Sequence, residues 1–248
     1  MQASAPHTAM RPFGAAADLD LDLGDPDRPS LVTGLLAHCA GHGDPEFWWS
    51  QPVGIRTASL LRLVGITDAS AREFSFSARC RKNGCGEPFE FSLSLYALLE
   101  STHDDVRIEA SLASGRRVTL RRPTGDDLRR WRDMRPGSRD QAMQTMLDSL
   151  LLEGEARAED APLLARTLAE HDPLVALSVL CPCPACGADN DIPIDLEAVA
   201  LARLDRRRRS LLHEIHALAS RYGWTEAEIL ALPPARRAHY LALIEVES

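Results

Sequence analysis

The sequence predicts an α+β fold, in which two cysteine-bearing β-hairpins are surrounded by helices and followed by a C-terminal unit of three helices. Three observations predict it: a cysteine-containing segment that occurs twice, alternating apolar and polar residues beside both copies, and apolar residues at helical spacing near the C-terminus. The chain has 248 residues, of which 45% are hydrophobic, and this is enough for one large domain or two small ones.

Composition and charge exclude several classes of protein. The longest nearly apolar stretch, residues 174–181, is far shorter than the roughly 18 residues that a membrane helix needs. The N-terminal residues lack the basic start and apolar core of a secretory signal, so the six cysteines favour metal binding or buried thiols and a cytoplasmic location. The net charge of −8 argues against binding of polyanions by the protein as a whole.

The N-terminal part of the chain predicts a tail and two helices. Residues 1–30 are expected to form a disordered acidic tail, because they are rich in aspartate and are broken by glycine and proline. A helix is predicted over 31–42. A second helix is predicted over 57–64, and we expect it to end at Gly65 as a left-handed cap.

Residues 31–200 predict an α+β domain with a helical insertion between two cysteine clusters. Alternating residues predict strands over 74–77 and 89–95, on either side of Cys80 and Cys85. Further elements are predicted between the clusters: a hairpin at 106–121, a helix with a capping box at 138–153, a helix at 162–171 and a strand at 174–180.

The most informative pattern is a repeat with an offset of 101 residues. Cys80 and Cys85 lie between two strands, and the cluster of Cys181, Cys183 and Cys186 has similar surroundings. Each cluster is followed by a glycine that is expected to adopt a positive φ. Apolar positions downstream keep the same offset, so a unit of strand, cysteine turn, strand and short helix occurs twice. The two copies are predicted hairpins at about 70–100 and 172–200.

Two hairpins with paired cysteines are the components of a zinc ribbon, in which four thiolates bind one structural Zn²⁺. The predicted ligands are Cys80, Cys85, Cys183 and Cys186. Cys181 matches Cys80 in the repeat, but the run from Cys183 to Cys186 is the better metal-binding turn, so Cys181 is interpreted as a packing residue. The alternative is a set of buried free thiols that bind no metal.

Other constellations of metal-binding or basic residues are weaker. His38, Cys39 and His42 lie near one helical face, but no fourth ligand is nearby and a buried helix is the better interpretation. The run Arg206–Arg209 could contact phosphates, but its residues point in nearly every direction, so a solvated face or a partner contact is favoured. No nucleotide-binding loop or catalytic arrangement is recognisable, so the sequence predicts neither an enzyme nor a small-molecule substrate.

Residues 201–248 predict the C-terminal helical unit. Its first helix is expected to end at Gly223, and Thr225 with Glu228 forms a capping box for a short second helix. A third helix is expected to begin at Pro233-Pro234.

Side chains of this unit are candidates for partner binding. Trp224 lies at the first turn, where it either packs on Leu218 and Leu232 as a plug between helices or is an exposed anchor. The outer face of the last helix is expected to carry a basic set for a partner, consisting of Arg236, Arg237 and His239.

The C-terminal residues resemble a known family. The segment Ile215–Pro233, with Tyr222-Gly223-Trp224 at its centre, and the following Arg236–Tyr240 are similar to the C-terminal signature of baseplate-hub assembly proteins. That family occurs in tailed phages and in phage-derived contractile injection systems. The resemblance covers about residues 50–248, although the first cysteine turn is longer than the usual two-residue spacing and Cys181 is additional.

The resemblance implies a non-enzymatic assembly factor or minor structural component of a baseplate hub. Its implied partners are hub or spike proteins, with no role for a membrane or a specific nucleic acid. A rival hypothesis follows from the residues themselves, because a zinc ribbon and three C-terminal helices that superficially suggest a helix-turn-helix would suit a nucleic-acid-binding regulator.

Overall fold

The computed structural model describes residues 9–41, 43–68, 72–100 and 107–246, and these residues form a mixture of helices and small antiparallel sheets. The α+β class is therefore confirmed. The helices are, in chain order, α1 (Ala16–Leu19), α2 (Arg28–Cys39), α3 (Pro45–Ser50), α4 (Val53–Thr67), α5 (Leu95–Glu100), α6 (Gly125–Asp133), α7 (Arg139–Leu150), α8 (Ala161–His171), α9 (Leu196–Tyr222), α10 (Glu226–Ala231) and α11 (Pro234–Val246). The strands are β1 (Glu73–Arg79), β2 (Pro88–Ser94), β3 (Ile108–Ser111), β4 (Arg117–Leu120), β5 (Leu151–Glu153), β6 (Ser178–Pro182) and β7 (Asp189–Pro193).

The described strands form three separate antiparallel sheets. β1 pairs with β2 and β6 pairs with β7, so both cysteine clusters lie in hairpins as predicted. β6 begins at Ser178 rather than at 174, because the N–H of Val175 donates to the carbonyl of Asp172 in a turn. The third sheet has the order β3-β4-β5, and β5 uses residues that were predicted to continue the helix at 138–153.

The largest hydrophobic core lies between α2, α4 and the first turns of α9. The leucines of α4 at positions 60, 61 and 63 are fully buried in it. The predicted cap at Gly65 is wrong, because α4 continues through this glycine to Thr67. A Cβ at Gly65 would lie 3.0 Å from Cδ2 of Leu95, so the glycine allows close packing of α5 against α4.

The region before α4 contains one predicted helix with shifted bounds and one helix that the sequence did not predict. The helix expected at 31–42 is α2, which begins earlier and ends at Cys39. Pro45 lies in the first turn of a further helix, α3, whose N-cap is Asp44. Proline suits this position because its missing N–H would have no partner there.

The prediction of a disordered acidic tail is wrong for residues 9–30, whereas residues 1–8 lie outside the described residues. Leu19 and Leu23, which lie among the aspartates, are buried. The N–H of Arg11 donates to the carbonyl of Cys39 at 2.8 Å, so the segment is fastened to the end of α2.

One aspartate of this segment, Asp18, stabilises it from within. Its side chain is fully buried and accepts two hydrogen bonds from the guanidinium of Arg11, at 2.6 and 2.7 Å. The N–H groups of Gly14 and Ala15 donate to the same carboxylate at 2.8 Å. Aspartate-rich composition predicts solvated charges, whereas Asp18 is buried and organises the local chain.

Residues 107–171 form an insertion with a hydrophobic core of its own, made by the three-stranded sheet together with α7 and α8. The insertion was predicted to be helical beyond its first hairpin, but β5 completes a sheet within it. It is tied to the rest of the molecule where β4 leads into α6, because the N–H of Val53 donates to the carbonyl of Pro123 at 2.9 Å and the N–H of Gly125 donates to the carbonyl of Gln51 at 3.1 Å.

A buried arginine, Arg56 of α4, joins several helices. Its Nη2 donates to the carbonyl of Pro29 at 2.7 Å and to the hydroxyl of Thr33 at 2.8 Å. Its guanidinium lies 5.1 Å from the ring centroid of Trp49. A Cβ at Gly125, the first residue of α6, would overlap with the same guanidinium, so glycine is required there.

The C-terminal unit consists of three helices, but it does not begin at residue 201. The predicted boundary between 200 and 201 falls inside α9, which is continuous from Leu196 to Tyr222 and ends at Gly223 with a φ of 70°. The core of the unit also contains Leu19 from the N-terminal segment. None of the described helices has the length and apolar character needed to cross a bilayer.

Candidate metal centre

Four cysteine side chains from the two hairpins meet at one point. Their sulfur atoms all lie within 4.8 Å of one another, and together they could hold a metal ion. The four are the predicted ligands, Cys80, Cys85, Cys183 and Cys186.

The two hairpins place their cysteines by the same local structure. Cys80 follows the last residue of β1, and Cys183 follows the last residue of β6. Their N–H groups close the turns by donating to the carbonyls of Glu87 and Ala188, at 3.0 and 2.8 Å. The glycines after the second cysteines, 86 and 187, have φ values of 64° and 68°, as the sequence predicted.

The strand register corrects the repeat that the sequence suggested. In the first hairpin the last pair is Arg79 with Pro88, and in the second it is Pro182 with Asp189. The offset between the copies is therefore 103 residues before the turn and 101 after it, because the first turn is longer by two residues. Cys80 corresponds to Cys183 rather than to Cys181.

Cys181 lies within β6, where it pairs with Asn190 in the ladder. By register its counterpart in the first hairpin is Ala78, and both residues pack at the edge of the cysteine cluster. The interpretation of Cys181 as a packing residue rather than one of the four grouped cysteines agrees with this position.

Two of the sulfur separations match the edge of a tetrahedral ligand set. The Sγ atoms of Cys80 and Cys186 are 3.7 Å apart, and those of Cys85 and Cys183 are 3.9 Å apart. A tetrahedron with metal–sulfur bonds of about 2.3 Å has edges of about 3.8 Å. A disulfide would need about 2.0 Å, so these are free thiols at ligand spacing.

The main chain around the cluster stabilises thiolates. Burial opposes ionisation of Cys183, but N–H groups of Cys186 and Ala185 outweigh it and lower the pKa of this thiol to about 7. At Cys85 the N–H of Glu87 also favours the thiolate, but the neighbouring thiols and burial raise the pKa to about 12. Without a cation the four thiols do not readily ionise together, because neighbouring thiolates repel one another. A divalent ion would offset this repulsion.

One residue beside the cluster was missed by the sequence analysis. Asn190 of β7 is 2% exposed, and its Oδ1 accepts the N–H of Arg81 at 2.8 Å. Its Nδ2 donates to the carbonyls of Ala188 and Cys181, at 2.9 and 3.3 Å. A single asparagine carries no recognisable motif. The only sequence signal is a polar residue at a position where the other copy has the apolar Phe89.

The predicted basic face of α11 is wrong in one residue. Arg236 and His239 are exposed, but Arg237 is 5% exposed and packs inward. Its Nε donates to Glu214 of α9 at 3.1 Å and its Nη1 to the carbonyl of Leu232 at 2.8 Å. The spacing could have revealed this, because Arg237 lies four residues before the inward-facing Leu241.

Trp224 is half-buried and belongs to a group of three aromatic rings. It stacks on Tyr222 with centroids 4.7 Å apart and meets the edge of Tyr240 at 5.0 Å. The predicted plug is thus made with tyrosines rather than with Leu218 and Leu232 alone, and Tyr222 remains 37% exposed.

Neither of the weaker constellations forms a site among the described residues. In the arginine run, Arg207 pairs with Glu214, and Arg208 and Arg209 pair with Asp205. His38 is exposed and Cys39 is buried, and burial raises the pKa of Cys39 to about 12. His42 lies outside the described residues.

The fold and the cluster define a protein with a four-cysteine centre between two hairpins. Comparison with family models, with curated proteins and with solved structures finds no match for this chain.

Proposed function

We propose that the four cysteines bind one structural Zn²⁺. The arrangement of the sulfur atoms at tetrahedral spacing carries this proposal. Thiolates are soft ligands, and a tetrahedral set of four suits zinc or iron. Four protein ligands leave no open coordination position for a substrate, so the ion stabilises the fold.

We also propose that the chain is a non-enzymatic assembly factor or minor structural component of the baseplate hub of a contractile tail or injection system. The observation that carries this is the C-terminal segment Ile215–Tyr240, through its resemblance to baseplate-hub assembly proteins. An ion-stabilised scaffold that presents a helical unit suits a protein that holds other proteins in position. The proposed partners are hub or spike proteins.

The proposed docking surface lies at the turn from α9 to α10 and on the outer side of α11. The half-buried Trp224 and the exposed Tyr222 present an amphipathic aromatic surface of the kind that is enriched in protein interfaces. Arg236 and His239 are exposed near the start of α11, and Arg236 adds positive charge.

Nucleic-acid binding is the less favoured function. Three of the four arginines of the run on α9 are paired with Asp205 or Glu214 of the same chain. A phosphate backbone would have to displace these pairs, and the net charge of the chain is −8.

The test is affinity capture with the purified hub and spike proteins of the contractile system from the same organism, followed by titration. The variant Arg236→Glu with His239→Glu should retain the fold and weaken binding at least tenfold. The control, Arg116→Glu with Arg139→Glu, changes exposed arginines of the insertion and should bind normally. A sequence-selective complex with DNA at physiological salt, without capture of a hub protein, would overturn the assembly role.

A further inference from the structure

Asn190 connects the two cysteine turns through one buried side chain. In the first hairpin its Oδ1 accepts the N–H of Arg81, the residue after the proposed ligand Cys80. In its own hairpin its Nδ2 donates to the carbonyl of Ala188. The same carbonyl accepts the N–H of Cys183 and so closes the second turn.

The first hairpin makes no equivalent contact with the second. By the strand register, the counterpart of Asn190 in the first hairpin is Phe89, which has no polar side-chain atom. The counterpart of Arg81 in the second hairpin is Pro184, which has no N–H to donate. The two copies therefore differ at both ends of the contact, and Asn190 supplies a link that the repeat does not duplicate.

A four-thiolate site shared by two hairpins is favoured by a link of this kind. Each hairpin supplies two ligands, and a two-stranded hairpin is marginally stable by itself. A hydrogen bond that holds both turns at ligand distance reduces what the ion must organise, and partners of this kind around metal ligands alter affinity by about 10–100-fold.

We propose that Asn190 is a positioning residue of the metal centre, which holds the turns of Cys80 and Cys183 in the relative position that binds one ion. This inference rests on the zinc site proposed above. It predicts that Asn190 controls affinity for the ion as well as stability of the fold.

The experiment measures the zinc dissociation constant of the full chain by competition with a chromophoric chelator. Asn190→Leu introduces a side chain of similar volume without polar atoms. Phe89, at the matching position of the first hairpin, shows that a buried apolar residue is accepted there. We expect the dissociation constant to rise about 10–100-fold. The control Phe89→Leu changes the matching position, which makes no such hydrogen bond, and should leave the constant within about threefold of the wild type.

A second variant removes the same hydrogen bond from its other end. Arg81→Pro copies the residue of the second turn and deletes the main-chain donor together with the arginine side chain. It should weaken zinc binding, and the double variant should bind zinc no more weakly than Asn190→Leu alone, because that variant already lacks the hydrogen bond to Arg81.

The outcomes separate the two proposals. If the wild type binds no zinc, the proposed zinc site fails. If the wild type binds zinc and Asn190→Leu binds it equally well, while both its apo and metal-bound forms are less stable, Asn190 is structural only and the inference is overturned. If Asn190→Leu does not fold, an unchanged dissociation constant for Arg81→Pro overturns it instead.

Discussion

At the scale of single residues, the neighbouring cysteines of β6 and its turn provide the sharpest contrast. Cys183 is 2% exposed and its sulfur is one of the four that converge, whereas Cys181 pairs in the strand ladder two residues earlier. We predict that Cys183→Ser abolishes stoichiometric zinc binding and that Cys181→Ser retains one equivalent. Metal analysis of both purified variants checks this, and the opposite order would assign Cys181 as the ligand.

The buried ion pair between α9 and α11 provides a second contrast between adjacent residues. Arg237→Glu places a carboxylate against Glu214 in a site where the arginine side chain is 6% exposed. We expect a loss of about 3 kcal/mol in the free energy of unfolding. Arg236→Glu, one residue earlier on the exposed side, should change it by less than about 0.5 kcal/mol. Urea denaturation compares the two, and equal effects would contradict the inward position of Arg237.

At the scale of elements, Asp127 fastens the start of α6. Burial would raise the pKa of its carboxyl, but hydrogen bonds from Arg121 and from Thr124 outweigh burial and lower the pKa below its ordinary value. The stabilisation is therefore complete above the unfolded-state pKa and is lost as the pH falls through the lower folded-state pKa.

The corresponding prediction uses Asp127→Asn. At pH 7 the free energy of unfolding of the variant should be about 2 kcal/mol lower than that of the wild type, because the charged hydrogen bonds from Arg121 are lost. The difference in urea midpoint between the two proteins should shrink as the pH falls below about 4. Zinc loss in acid affects both proteins, so it cancels in this difference. A gap that is constant from pH 7 to pH 3 would contradict the account.

The elements also show how far sequence reasoning reached. The ligand set was predicted from cysteine spacing, because thiolate chemistry needs few residues and tolerates a change in turn length. The two-residue difference between the turns was hidden by a constant offset downstream, and only the register Arg79 with Pro88 reveals it. The sequence predicts that Gly65 caps a helix, because it does not show that Leu95 of another helix packs against this glycine.

At the scale of the whole molecule, the N-terminal segment completes the C-terminal core. Leu19 is 8% exposed and packs with leucines and isoleucines of α9 and α10. Leu19→Ala should therefore cost about 2 kcal/mol in the free energy of unfolding, whereas Asp20→Ala, at the adjacent exposed position, should cost less than about 0.5 kcal/mol. A negligible effect of Leu19→Ala in urea denaturation would contradict this packing and support the prediction of a disordered tail.

The four-cysteine centre joins segments of the chain that are about a hundred residues apart, so the proposed zinc ion would contribute directly to folding of the assembled molecule. The most direct test is the metal content of the purified protein, measured by mass spectrometry before and after chelation, with thermal unfolding of both samples. We predict one equivalent of zinc per chain and a markedly lower unfolding temperature after chelation. Well under one equivalent of zinc, with an unfolding temperature that chelation leaves unchanged, would contradict a zinc-stabilised fold.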